Sequence, residues 1–454
     1  MKRLVAALAT VALAWAQPAA AQSVLRDAET EAWFAAMMAP LAKAAGLGER
    51  DIKVVLIQDD QINAFVAGGQ VIYIFSGLIQ AADNANEVQG VLAHELGHIA
   101  NGHAVFNAGG QQAMGISLLS MVLGIAAMAA GGGEAGAGIL AAGQQAALGK
   151  YLAFSRVQEA TTDAAGLKYL TSAGVTGRGL LSFYKKLQQQ TEYRYGSANI
   201  DPYMQTHPLS GQRIATLTAD VQASPAFATR PDAANEERFR RIKAKLQGYS
   251  QPAARTLQAF PETDRSIYAH YARAYAYHKS GYPDKADAEA AALIRAKPDD
   301  PYFLEVQGQV LLEAGKPLQA LAPLKSATEG SRYNPLIATT YGHALIATED
   351  KGLYPEATRV LRIAVARDDN NPFGWLQLGT VYERTGDTAR AALATAERAH
   401  ITGDHRTARS SARYALANLP ANTPDWLRAQ DIAMTARNEL CDDKNKSQNK
   451  KLCR

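Results

Sequence analysis

His94-Glu95-Leu96-Gly97-His98 is the stretch of this chain whose residue types and spacing point most directly to chemistry. Two histidines four apart fall on one face of a helix, where both imidazoles reach a single tetrahedral zinc ion. Zinc lowers the pKa of a bound water to about 7, and a carboxylate beside it takes the proton as hydroxide attacks a carbonyl. Glu95 stands in that place and would hand the proton on to a leaving amine. The pattern predicts one Zn2+ per chain, held by His94 and His98, with Glu95 as catalytic base of peptide hydrolysis. Three fixed residues make a short motif, and the bland alternative is a pair of half-exposed helix histidines beside a glutamate.

A catalytic zinc needs a third protein ligand and one open position. The only cysteines, Cys441 and Cys453, sit at the far end of the chain, which leaves His, Glu or Asp. Within Glu159-Ala160-Thr161-Thr162-Asp163 the glutamate is the expected ligand. Asp163, one helical turn further on, points the same way and would orient a ligand histidine from behind. Taken alone, Asp163 would read as a solvated helix carboxylate.

The elements that must position these residues follow from pattern. Residues 29 to 45 have helical apolar spacing, and Ile52 to Ile57 is short and β-branched, as a buried strand is. Gly68-Gly69 separates Asn63 to Ala67 from Val71 to Phe75, two adjacent strands around a turn. Asn86 is the expected cap of a helix from Glu87 to about Ala104 that carries both histidines. Helical patterns resume over Lys150 to Ser172 and around Leu180 to Gln190, with a loop over Ser197 to Ser210.

The two ends bound the setting. Met1-Lys2-Arg3, the 13-residue run Leu4 to Ala16 and Ala19-Ala20-Ala21 are ordered like an export signal over 1–21, too short to span a bilayer. Without Lys2 and Arg3 the formal charge falls from +4 to +2, and nothing indicates nucleic acid. In an exported chain Cys441 and Cys453 read as a disulfide pinning the tail 441–454, the alternative being two exposed thiols. Met114 to Ala130 is a 17-residue apolar stretch, at the lower limit for a span and broken by Gly131-Gly132-Gly133. It reads as a hydrophobic hairpin packed on the protein or, alternatively, in peripheral contact with a membrane.

Several motifs in order now carry a resemblance. Asn63-Ala64-Phe65, Gly69-Gln70-Val71-Ile72-Tyr73, Gly77-Leu78, Val91 to His98, His103, Glu159 with Asp163, and His207-Pro208 followed by Arg213 resemble the peptidase family of CAAX prenyl proteases and HtpX, over roughly residues 30 to 220. The resemblance implies that Glu159 is the third zinc ligand, in agreement with the spacing. It also implies that His207 lies at the metal, as transition-state stabiliser or as a gate on the open position, and that Arg213 orients the His207 loop. HtpX-like relatives carry true membrane spans, which the glycine-broken stretch here does not match.

Beyond about residue 255 the texture is Ala-rich and helical, with a period near 34 residues. Pro301, Pro335 and Pro372 are each followed seven positions later by Gly308, Gly342 and Gly379, and Gly281, Gly315 and Gly386 five later by Ala286, Ala320 and Ala391. Small residues at those places let two antiparallel helices approach closely, as in tetratricopeptide repeats. The step from Pro335 to Pro372 is 37 residues, so the third unit carries an insertion. The expected fold is an α+β zincin-type metallopeptidase domain over 22–250, mostly helical with a small sheet, then an all-α repeat solenoid over 251–440. Tyr271, Tyr275, Tyr341 and Tyr382 either line a partner groove or pack between helices.

The expected function is hydrolysis of misfolded or misassembled envelope proteins in the periplasm. Asn63, Ala64 and Phe65 would bind an extended substrate as an added strand. By resemblance, the partners are unfolded outer-membrane proteins and the outer-membrane barrel-assembly machinery. Two rivals stay open: a chaperone-like adaptor whose zinc site is closed by His207, and a membrane-embedded protease.

Overall fold

The computed structural model describes residues 23–48, 51–67, 69–103, 156–193, 203 and 207–441. The export signal, the apolar stretch 114–130 and most of the expected loop 197–210 lie outside them. Among the described residues no helix is long and apolar enough to cross a membrane. The chain divides into two compact units: one runs through Arg26 and from Glu31 to Lys243, the other takes Asp27–Thr30 and the chain from Ala244 onward.

In the first unit, β1 (Ser23–Leu25) precedes helix α1 (Ala28–Ala44), which starts in the second unit at Asp27–Thr30. β2 (Lys53–Gln58), β3 (Ala64–Ala67) and β4 (Val71–Phe75) follow. The sheet order is β1-β2-β4-β3; β2 and β4 are parallel, Lys53 opposite Val71, and β3 lies antiparallel on the edge, Ala64 opposite Ile74. Leu56, Ile72, Ile74 and Phe75 face the core, which explains why the apolar runs form strands. The short strand β1, antiparallel to β2, has too few residues to show a period, and the sequence reading passed over it.

After the short helix α2 (Ser76–Ala81) comes α3 (Ala85–Ala100), the helix of the histidines. Its cap is Asn84, whose side chain accepts from the Glu87 amide at 3.0 Å, while Glu87 returns to accept from the Asp83 amide at 2.9 Å. Asn86 is not the cap. It is buried in the first turn and bonds outward, donating to the Thr176 carbonyl at 3.0 Å and accepting from the Gly179 amide at 2.8 Å. The helix closes at Gly102, in the left-handed region at φ 69, with the His103 amide donating to the His98 carbonyl at 3.0 Å. Helix α4 (156–172), α5 (Arg178–Tyr193), α6 (Gly211–Ala223) and α7 (Ala233–Ser250) complete the order, α7 passing into the second unit at Ala244.

Helix α3 is buried from Ala85 to Gly97. A Cβ on Gly97 would stand 2.9 Å from the Thr162 carbonyl oxygen, and one on Gly166 would stand 3.0 Å from that of Ala93. Glycine at both places lets α3 and α4 run almost backbone to backbone, which carries Glu159 and Asp163 to the histidines.

The second unit is built of helix pairs. After α8 (Ala253–Ala259) these are α9 (Ile267–Lys279) with α10 (Pro283–Ala296), α11 (Pro301–Glu313) with α12 (Pro317–Gly330), α13 (Pro335–Ala347) with α14 (Tyr354–Arg367), α15 (Pro372–Thr385) with α16 (Thr388–Ile401), and α17 (His405–Asn418) with α18 (Pro424–Cys441). Pro301, Pro335 and Pro372 each open a helix behind an Asp or Asn cap. The insertion of the third unit is the 3-10 turn Lys351–Leu353 between α13 and α14. Tyr271, Tyr341 and Tyr382 are buried, which favours packing over a groove lining for these three. Lys245, buried, pairs with Asp27 at 2.6 Å and Glu29 at 3.3 Å, and Tyr271 donates to Glu29 at 2.8 Å.

Candidate metal centre

Four side chains from three parts of the first unit converge: His94 and His98 of α3, Glu159 of α4, and His207 from the chain just before α6. His94 Nε2 lies 3.2 Å from His98 Nε2, 3.3 Å from His207 Nδ1 and 3.3 Å from Glu159 Oε2. Glu159 Oε1 is 3.4 Å from His98 Nε2 and 3.2 Å from His207 Nδ1. Nitrogen and oxygen ligands about 2.0–2.1 Å from zinc stand roughly 3.3–3.4 Å apart at the corners of a tetrahedron. The separations therefore have the size of a zinc polyhedron. Three ring nitrogens crowded on one carboxylate cannot all find donors among themselves, and a cation between them resolves the conflict.

The electrostatics point the same way. Burial opposes charge on His94, but Asp163 and Glu159 outweigh it and raise its pKa to about 10. A field that draws a proton to His94 draws any cation. Burial pushes His98 below its ordinary value, which leaves a ring lone pair free. Burial would also raise the Glu159 pKa, yet His207, His94 and His98 hold it far below the carboxylate range.

Around these ligands stands a buried ring of partners. Asp163 Oδ1 is 3.0 Å from His94 Nδ1, on the side of the ring away from the other ligands. Arg213 grips Asp163 with Nε and NH2, both at 2.8 Å, donates NH1 to the Pro208 carbonyl at 2.8 Å, and sets NH1 3.1 Å from Glu159 Oε2. One guanidinium thus ties the His207-Pro208 segment to α4. Glu95 is fully buried, and among the described residues neither carboxylate oxygen has a hydrogen-bond partner. His207 Nε2 lies 3.5 Å from Glu95 Oε1.

Asn63, Ala64 and Phe65 begin the edge strand β3, which packs against α3. The Asn63 side-chain oxygen is buried without a partner, and Phe65 stacks on Tyr73 at 5.1 Å. Cys441 is disulfide-bonded, and Cys453, the other cysteine of the chain, lies outside the described residues. Sequence reasoning gave no role to three residues near the ligands. His103 Nδ1 is 3.0 Å from His98 Nδ1, Tyr184 Oη is 3.0 Å from His94 Nδ1, and the Tyr203 ring lies 4.7 Å from that of His207. The tyrosines carry no spacing signal, since they reach the site only through folding.

Residues 28–221 match the model of peptidase family M48. That match spans most of the first unit. Over 348 residues, 75% of this chain and 70% of the relative, the protein is 25% identical to a putative beta-barrel assembly-enhancing protease of Vibrio cholerae. It is 25% identical over 332 residues to the beta-barrel assembly-enhancing protease of Escherichia coli, covering 70% of this chain and 65% of that one. The metalloprotease LoiP of Escherichia coli is 32% identical over 174 residues, 38% of this chain and 62% of the relative. The family match and these relatives make this chain a metalloprotease, and its buried His-Glu cluster could hold a metal ion. Both relatives aligned over most of the chain extend past the M48 match, so the similarity reaches into the repeat unit.

Proposed function

We propose that this protein is a zinc-dependent endopeptidase of the periplasm that cuts misfolded or misassembled envelope proteins, with its repeat unit binding clients or partners. The observation that carries the reading is the set of ligand atoms at zinc spacing beside a buried, unbonded Glu95. Zinc held by His94, His98 and Glu159 would polarise a carbonyl and lower the pKa of a bound water to about 7. Glu95 takes the proton of the attacking water as the new C–O bond forms, then gives it to the nitrogen as the C–N bond breaks. A carboxylate buried without donors is destabilising by several kcal/mol, and groups kept at such a cost cluster at functional sites.

Substrate enters as an extended segment. Among the described residues β3 is an edge strand, and its open side can accept a peptide backbone with little preference for sequence. Selection then falls to the repeats. The beta-barrel assembly-enhancing proteases to which the chain is similar support outer-membrane proteins and their assembly machinery as the clients and partners.

His207 gives a second reading some weight. Its Nδ1 occupies the fourth corner of the ligand cluster, where an attacking water or a carbonyl must come. We read this as a closed state, with His207 as the gate. A protein locked in it would be an adaptor rather than a protease. Glu95→Gln separates the readings: it should keep one zinc per chain and lower cleavage of an unfolded protein by at least about a hundredfold. Undiminished cleavage would overturn the assignment of the base, and undiminished envelope function without cleavage would favour the adaptor.

A further inference from the structure

Tyr184 lies in the middle of α5, fully buried, and its hydroxyl reaches the same side of His94 as Asp163 of α4. Its hydroxyl is 3.0 Å from His94 Nδ1, 3.1 Å from Asp163 Oδ1 and 3.5 Å from Arg213 NH2. The adjacent Phe183 is equally buried with no polar atom, so filling space on this helix does not call for a phenol. A buried hydroxyl must repay its desolvation with hydrogen bonds, and these three contacts run to His94 and the Asp163–Arg213 pair behind it.

His94 turns Nε2 to the other ligands, so Nδ1 carries the ring proton and donates it. Two oxygens wait for that proton, Asp163 Oδ1 and Tyr184 Oη, each at 3.0 Å. The phenol in turn donates to the same Asp163 oxygen. Two acceptors on one N–H leave the imidazole a single favoured plane. The Tyr184 ring meets His94 edge to face at 81° and carries the Arg213 guanidinium 5.5 Å from its centroid. These contacts belong to the ring and survive loss of the hydroxyl.

We propose that Tyr184 is a positioning residue that, together with Asp163, fixes the ring plane and tautomer of His94 and so raises the affinity of the site for zinc. The inference rests on the reading of His94 as a zinc ligand. It predicts that zinc affinity depends on one hydroxyl group that touches neither zinc nor substrate.

The test is Tyr184→Phe in the full chain, with zinc affinity measured by competition against a chromogenic chelator and apoprotein melting measured alongside. Loss of an outer hydrogen bond to a ligand histidine commonly costs 10- to 100-fold in metal affinity. The expected result is a zinc Kd raised at least about tenfold, apoprotein melting within a degree or two of wild type, and kcat recovered at saturating zinc. Tyr169→Phe, at a buried tyrosine of α4 with no contact to the ligands, should keep the wild-type Kd. A Kd within twofold of wild type for Tyr184→Phe would overturn the proposal, as would an apoprotein destabilised enough to account for the loss. If wild type itself takes up no zinc, the metal reading fails first, and the inference falls with it.

Discussion

Gly97→Ala tests the spacing on which the metal centre depends. The added Cβ would stand 2.9 Å from the Thr162 carbonyl oxygen and 3.0 Å from Thr162 Cγ2, whereas carbon and oxygen settle at about 3.3–3.6 Å. One side of the contact is backbone, so relief comes from α4 moving away from α3 by about 0.5 Å. Glu159 is one turn from Thr162 on the same helix and must follow. Its oxygens now stand 3.3 and 3.4 Å from the two ligand histidines, and metal-to-ligand distances tolerate only about 0.2 Å. Zinc binding would have to press the helices back together against roughly 1–3 kcal/mol of overpacking.

That strain corresponds to a rise in zinc Kd of about tenfold to a hundredfold. The apoprotein should not suffer in proportion, because without zinc the helices can part, and alanine gains about 1 kcal/mol over glycine in a helix interior. Calorimetry with and without zinc, combined with chelator competition, reads both. The expected pattern is an apoprotein melting near wild type and a shrunken zinc-induced rise in Tm. An unchanged Kd, or equal losses of stability with and without zinc, would refute the reasoning that glycine at 97 exists to bring Glu159 into reach.

Three further outcomes follow from other contacts. His207→Ala should vacate the fourth corner and raise the initial rate on an unfolded protein by about tenfold if the closed state dominates at roughly ten to one; a lower rate than wild type would assign His207 to the transition state instead. In the repeats, Gly342→Ala should cost about 1–3 kcal/mol because its Cβ would meet Leu361 Cγ at 2.5 Å, while Gly379→Ala, with Ala394 Cβ at 3.3 Å, should be close to neutral in denaturant titrations. Asp27 is half-buried, and that burial alone would raise its pKa, but Lys245 holds it below the ordinary value. A depressed folded pKa contributes stability above the unfolded value near 4 that is lost as pH falls through the folded one. Asp27→Asn should therefore cost about 3 kcal/mol at pH 7, and its deficit against wild type should shrink in urea titrations below pH 4.

Much of the fold was written in local pattern. The repeat helices carry proline at the first turn, Asp or Asn before it and small residues at the crossing, signals that repeat because each unit solves the same packing problem. The strands β2 and β4 showed as short β-branched runs because their side chains fill the core. The cap of α3 was misplaced by two residues because Asn84 and Asn86 are equally good candidates by type. Only tertiary contacts with Thr176 and Gly179 distinguish them.

The metal centre divides along the same line. His94, Glu95 and His98 are legible because helix geometry alone relates i to i+4, and Glu159 with Asp163 because the same rule puts them on one face. Nothing local relates Tyr184 to His94, ninety residues apart, or predicts that His207 will stand at the fourth corner. Those relations come from glycines that let α3 approach α4 and α5, and a glycine in a helix reads in sequence only as a weak spot. A Cβ on Gly90 would meet the Leu180 backbone at 2.7 Å, as one on Gly97 meets Thr162 at 2.9 Å. Gly90 and Gly97, seven residues apart, lie on one face of the helix that carries the motif, so two helices pack against that face at successive levels and each delivers a side chain to the same histidine ring: Asp163 from α4, Tyr184 from α5. Substitution at either level should then weaken zinc by misplacing His94 or its partners, while substitutions of equal bulk on the exposed face of α4 should not.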